Sequence, residues 1–149
     1  MPGAPAPLLK IWNPRPFACV SPPVAVLIVD DDIAGAEALA AALATEGIRT
    51  IVADGGTSAL VTPPAWTPHV VILDIEMPAC DGFGVALAMR GSRRFANTPI
   101  IAYTSLDETD VIERGKEAEI DAFHRKGDPL RCLLRLIDHL APGEAAKIP

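Results

Sequence analysis

VVILDIEMPACDG, residues 70–82, runs four apolar residues into a carboxylate, then into a Met-Pro pair and an Asp-Gly step. A continuous aliphatic run suits a strand buried on both faces, as in a parallel sheet. Ending that strand on Asp74 places a charge at the rim of a hydrophobic layer. Pro78 stiffens the turn that follows, and Asp81 and Gly82 can cap and release the chain into a helix.

Working outward, the same pattern recurs. Residues 24–29 (VAVLIV) form a second apolar run, and it ends on Asp30, Asp31 and Asp32. Ala36, Leu39, Ala40 and Leu43 then share one helical face, with Gly47 as the stop. Residues 48–53 read as the next strand. A helix starting over 57–61 is cut short by Pro63 and Pro64. Beyond the strand at 70–73 come a helix over 83–90, a strand over 99–103 and a polar helix over 107–119. A short strand over 122–124 and a final helix over 129–140 complete the pattern. Asp128 is expected to cap that last helix, with Pro129 at its first position and Leu130, Leu133, Leu134 and Ile137 as its apolar stripe. Five strands alternating with five helices predict an α/β, doubly wound (βα)5 domain: a five-stranded parallel sheet with helices on both faces.

Composition agrees with one such domain. The chain has 149 residues, half of them hydrophobic, and a net charge of −6. The acidic balance argues against a nucleic-acid binder, which would carry a basic face. Cys19, Cys80 and Cys132 are an odd number with no CxxC or metal-like spacing, as expected of a reduced cytoplasmic protein. No apolar run is long enough to span a membrane. Residues 1–23 hold seven of the fifteen prolines and no signal-peptide core. They read as an irregular arm ahead of the domain at 24–140, with 141–149 as a short tail. Trp12 and Phe17 are expected to pin the arm to the domain.

Open parallel sheets bind ligands at the C-terminal ends of their strands. Asp30, Asp31, Asp74, Thr104 and Lys126 should therefore meet at one edge. Three crowded carboxylates repel, and a hard divalent cation such as Mg²⁺ relieves them. With the metal bound, an ionised Asp74 can act as a nucleophile, and carboxylates are phosphoryl acceptors. Thr104 and Lys126 can contact the added phosphoryl oxygens.

These residues resemble the receiver domains of bacterial two-component response regulators, over roughly 24–140. VLIVDDD resembles the family's first strand and acidic pair, LDIEMPACDG its phospho-acceptor motif, PIIAYTS its Thr/Ser-ended strand and AFHRK its final aromatic-x-x-Lys segment. The resemblance implies a flavodoxin-like fold in which Asp74 accepts a phosphoryl group from a sensor histidine kinase or a histidine phosphotransfer protein. It further implies Mg²⁺ held by Asp30, Asp31, Asp74 and the backbone carbonyl of Glu76, and phosphoryl binding by Thr104 and Lys126. Phe123 would swing inward as Thr104 moves. With only APGEAAKIP after the last helix, the expectation is a stand-alone cytoplasmic receiver. It would act on a downstream protein target without direct DNA or membrane contact, and the face formed by helix 4, strand 5 and helix 5 would be open to a homodimer. At most it would catalyse its own phosphoryl transfer and dephosphorylation, and it would not be a classical enzyme.

Three departures from the family pattern carry expectations. Lys126 is followed by Gly127 where the family has a cis proline. A cis bond before a non-proline residue costs about 2.5–4 kcal/mol, so a trans bond and a shifted loop are predicted, which bears on the reach of Lys126. Glu119 stands where the family has Gly, and Phe123 lacks the hydroxyl of the commoner Tyr. Two alternatives compete. One is a pseudo-receiver that binds partners without phosphorylation. The other is a haloacid-dehalogenase-like phosphatase with Asp30 of the Asp-x-Asp pair as nucleophile, a reading that leaves the stretch at 70–82 without a role.

Overall fold

A computed structural model describes residues 9–61 and 66–143. Five strands, β1 (Ala25–Val29), β2 (Arg49–Ala53), β3 (Val70–Asp74), β4 (Ile100–Thr104) and β5 (Ala122–Arg125), alternate with five helices. These are α1 (Ile33–Ala44), α2 (Gly56–Leu60), α3 (Gly82–Arg90), α4 (Glu108–Glu117) and α5 (Leu130–Leu140). The strands form one parallel sheet in the order β2-β1-β3-β4-β5. The elements expected from the sequence are all present, with ends shifted by one or two residues. Pro63 and Pro64 lie outside the described residues.

Both central strands, β1 and β3, are buried at every position, which is why they read as unbroken apolar runs rather than alternating ones. Their side chains still alternate between two cores. Leu27, Val29, Val71 and Leu73 face Phe83, Val85 and Met89 of α3 and Val111 of α4. Val26, Ile28, Val70 and Ile72 face Ala36 and Leu43 of α1 and Leu133, Leu136, Ile137 and Leu140 of α5. The stripe of α5 is thus rotated from the expected one, and Leu130 and Leu134 are only partly buried.

The start of α5 is a correction. Asp128 is not its cap: Pro129 (φ −57°, ψ 142°) is the N-cap residue and the helix begins at Leu130. The Asp128 N–H donates to Arg125 O at 3.1 Å. That turn holds Asp128 out of line with the helix, and the extended ψ of Pro129 excludes it from the first helical position.

The end of α4 explains the Glu119 departure. Glu119 has φ 59°, the left-handed conformation that closes a helix and favours glycine. An L side chain is strained there. Glu119→Gly should raise stability by about 1 kcal/mol, read as a higher urea midpoint with an unchanged slope.

The N-terminal arm lies along the free edge of β5. Ile11 bridges Ala122 in antiparallel sense. The Phe123 N–H donates to Lys10 O at 2.9 Å, and Trp12 N–H to Asp121 O at 2.7 Å. Arg15 pairs with the fully buried Asp121 at 2.9 Å, and Arg90 pairs with the same carboxylate at 2.8 Å. Asp121 also accepts the Ile100 N–H at 2.8 Å. One buried acid therefore ties the arm, α3 and β4 together. Phe17 is partly buried and meets His139 edge-on.

Candidate functional site at the strand ends

Asp74 is the last residue of β3 and Thr104 the last of β4. Asp30 follows β1 and extends its ladder through Asp30 N–H to Ala53 O at 3.0 Å. Asp30, Asp74 and Thr104 are all buried, whereas Asp31 is exposed. One carboxylate oxygen from each of Asp30, Asp31 and Asp74 falls within 4.8 Å of the others. Lys126 Nζ sits 3.3 Å from Asp30 Oδ2 and 3.5 Å from Asp74 Oδ1. The five side chains singled out from the sequence thus share one edge.

Local structure fixes each of them. The apolar pairing of β1 and β3, with Val29 opposite Leu73, sets the depth of the acids that follow. Asp30 Oδ1 accepts the Asp32 N–H at 2.9 Å, which turns the chain out of the strand. Asp32 caps α1, accepting from Gly35 N–H, so the third aspartate is occupied as a cap. After Asp74 the chain makes a two-residue turn at Pro78 and Ala79, between the paired segments Glu76–Met77 and Cys80–Asp81. Asp81 caps α3. Gly82 is required: a Cβ there would lie 2.6 Å from Asp74 O and from Ile75 Cα.

The Lys126–Gly127 bond is trans, since the single cis bond among the described residues is Pro22-Pro23. The loop turns at Gly127 with φ 96°. Lys126 reaches both buried acids all the same. Its ammonium would be lowered by burial, but the charges of Asp74 and Asp30 raise it overall.

Asp74 carries the clearest electrostatic signature. Burial pushes its carboxyl up to about 6, helped by the hydrogen bond and charge of Asp30 and opposed by the Glu76 N–H and Lys126. The Glu76 N–H donates to Asp74 Oδ1 at 3.0 Å. One ammonium faces three carboxylates, so the edge carries uncompensated negative charge. Oxygen-only donors, two of them buried and one open to solvent, fit a hard cation that keeps several waters. Mg²⁺ is such a cation, and Asp30, Asp31 and Asp74 are the side chains that would hold it.

Two features were not anticipated. The Thr104 hydroxyl donates to Glu76 Oε1 at 2.8 Å, and Ser105 Oγ donates to the same atom at 3.1 Å. The Thr104 hydrogen bond, first among the causes, holds the Glu76 carboxyl below its usual range. The sequence points to Glu76 for its backbone carbonyl, not as the acceptor for Thr104. Phe123, expected as a swinging aromatic, is only 2% exposed, and the Trp12 ring stacks over it with centroids 5.4 Å apart. The signal for that contact was the tryptophan itself, an isolated large apolar residue in a proline-rich arm.

The response regulator receiver domain family model matches residues 26–137. The DNA-binding response regulator MtrA of Mycobacterium tuberculosis (strain ATCC 25618 / H37Rv) is 33% identical over 101 residues, covering 68% of this chain and 43% of the relative. Response regulator MprA of Mycobacterium sp. (strain KMS) is 31% identical over 131 residues, covering 85% of this chain and 56% of the relative. The chain therefore spans about half the length of these curated relatives, and their names lend no support to a stand-alone role without DNA contact. Among solved structures, chemotaxis protein CheY4 of Vibrio cholerae superposes with a TM-score of 0.73 at 26% identity, covering 78% of this chain and 98% of that one. The receiver domain of Francisella response regulator 1452 gives 0.70 at 28% identity, covering 79% and 96%. No helix among the described residues is long and apolar enough to cross a membrane. With the acidic edge on β1 and β3, the parallel sheet and these matches in agreement, the chain belongs to the receiver-domain family of two-component response regulators, whose members accept phosphoryl groups.

Proposed function

We propose that Asp74 takes a phosphoryl group from a phosphohistidine on a sensor kinase or phosphotransfer protein, in the bacterial cytoplasm, and that the change is read by a protein partner. An Asp74 carboxylate oxygen attacks phosphorus, the phosphorus–nitrogen bond breaks, and its electron pair stays on the departing imidazole. The product is an acyl phosphate on Asp74. Hydrolysis of that bond by water returns the carboxylate. Asp30, Asp31, Asp74 and the Glu76 carbonyl would hold Mg²⁺, which would supply positive charge to the transferring oxygens. Lys126 offsets the added charge, and Thr104 leaves Glu76 to donate its hydroxyl to the phosphoryl group. The α4–β5–α5 face, whose β5 edge carries the arm in the resting structure, is the surface we assign to the output, whether to a target or to a second copy.

The observation that supports Asp74 over Asp30 as acceptor is how each carboxylate is engaged. Both Asp30 oxygens are occupied, Oδ1 by the Asp32 N–H and Oδ2 by Lys126. Asp74 is held through Oδ1 by the Glu76 N–H and Lys126, and its further hydrogen bond, to Asp30, is lost when both acids ionise. Intact mass after incubation with acetyl phosphate and Mg²⁺ tests the reading. One phosphoryl group on the peptide carrying Asp74 is expected. An untouched donor would favour the pseudo-receiver, and a donor rapidly consumed without an Asp74 adduct would favour the phosphatase.

A further inference from the structure

The stacking partner of Phe123 comes from the arm, and its other contacts bear on the switch. The Trp12 indole lies against Gly115 of α4, where a Cβ would overlap its Cε3 and Cζ3 atoms. Its Nε1 donates to Glu108 Oε2 at 2.7 Å, and Lys10 Nζ reaches Glu108 Oε1 at 3.3 Å. The ring is therefore wedged between β5 and α4 and is clipped to the first residue of that helix.

We infer that Trp12 is a positioning residue for phosphorylation: the arm at residues 10–15 is a strap that holds Phe123 and the β4–α4 loop in the resting arrangement, and so opposes phosphoryl uptake. The inference rests on Asp74 being the acceptor.

Thr104 must leave Glu76 to reach a phosphoryl group on Asp74. Its side chain lies on the same sheet face as Ala102, and Ala102 is paired with Phe123. Phe123 and Thr104 are thus diagonal neighbours. When Thr104 is drawn toward Asp74, Phe123 is the large side chain beside the space it leaves. Following it costs the stack on Trp12. The loop is gripped as well. The Leu106 N–H donates to Thr104 Oγ1 at 3.2 Å, so displacing Thr104 pulls on residues 105–107, and Glu108 at their end is bonded to Trp12. The base of the strap is fixed independently by Arg15 on the buried Asp121. Coupling of this kind is reciprocal. If the docked strap disfavours the phosphorylated arrangement, phosphorylation must loosen the strap by the same factor. A stacked aromatic pair of this geometry sets the scale at about three- to tenfold.

The test uses the full chain with acetyl phosphate and Mg²⁺, comparing wild type, Trp12→Ala and Glu108→Ala by intact mass over time. Trp12→Ala should label about three- to tenfold faster than wild type, and Glu108→Ala, which releases only the clip, should label faster by a smaller factor. Glu108→Ala leaves the stack in place, and it carries the test if Trp12→Ala folds poorly. In parallel, tryptic cleavage after Lys10 should quicken by a similar factor in wild type exposed to the donor, relative to Asp74→Asn treated identically. Asp74 labelled at equal rates in all three proteins, with cleavage unchanged, would overturn the strap and leave Asp74 as acceptor. Slower labelling in the variants would overturn the sign of the coupling. No label on Asp74 in any protein would overturn both readings.

Discussion

Replacing Asp74 with Asn should abolish phosphoryl uptake from acetyl phosphate and, in the absence of metal, should make the protein more stable near neutral pH. The first half follows from chemistry, because an amide oxygen is a poor nucleophile and the remaining acids are committed elsewhere. Asp30 is bound on both oxygens, and Asp31 is exposed and lies apart from the Thr104 hydroxyl's strand. The second half follows from the Asp74 carboxyl, raised from 3.8 to about 6 chiefly by burial and then by Asp30. Between those values the native protein keeps a proton that the unfolded chain has lost. Stability is therefore fully present below 3.8, falls as pH rises through about 6, and stays lower above it. Asn carries no charge to desolvate. Thermal unfolding in EDTA should show Asp74→Asn more stable than wild type by about 2 kcal/mol near neutral pH, a figure reduced from the full shift for solvent screening of the charge. The advantage should vanish near pH 3.5. Label retained on Asp30, or a variant less stable than wild type in EDTA, would refute the assignment. A carboxylate kept where it costs stability marks a functional site rather than a structural one.

The parts of this arrangement that were legible in the sequence are those dictated by periodicity and by strand ends. An apolar run of four to six residues admits few structures, and a carboxylate at its end must lie at the rim of the sheet. That reasoning brought Asp30, Asp31 and Asp74 together, and the βα alternation added Thr104 and Lys126. Contacts made by chain without a period were not legible. The arm has no repeating apolar pattern, so Trp12 could be read as a pin, but not which residues it would cover, nor that Ile11 would add to the β5 edge. The Glu76 side chain follows a strand end by two residues, where the turn at Pro78 decides its direction. The α5 cap was misread because Asp-Pro is a common helix start, whereas here the extended ψ of Pro129 makes that residue the N-cap. The Lys126–Gly127 step was read as a loop change with consequences for reach. A long flexible side chain attracted by two buried acids absorbs such a change, which backbone propensity alone does not reveal.

Magnesium affinity should fall about a hundredfold in Asp31→Ala, and about tenfold in wild type between pH 7 and pH 5, both measured by titration calorimetry. Asp31 is the exposed member of the acidic cluster. It is the carboxylate best placed to hold an ion that retains waters on its open side, and its loss removes one of three negative charges that the single lysine only partly offsets. The pH effect has a separate origin. A cation must displace the proton from Asp74, whose carboxyl titrates at about 6 without metal. Below that pH each unit costs close to a factor of ten, and above it the dependence levels off. The two effects are separable by one further variant. Asp74→Asn should bind Mg²⁺ more weakly than wild type at pH 7 but with little change down to pH 5, because the displaced proton is gone. Asp31→Ala should keep the full pH dependence. Equal pH slopes in wild type and Asp74→Asn would mean that the proton released on binding comes from another group. Asp74 would then lie outside the metal's ligand set, leaving Asp30 and Asp31 to hold the ion.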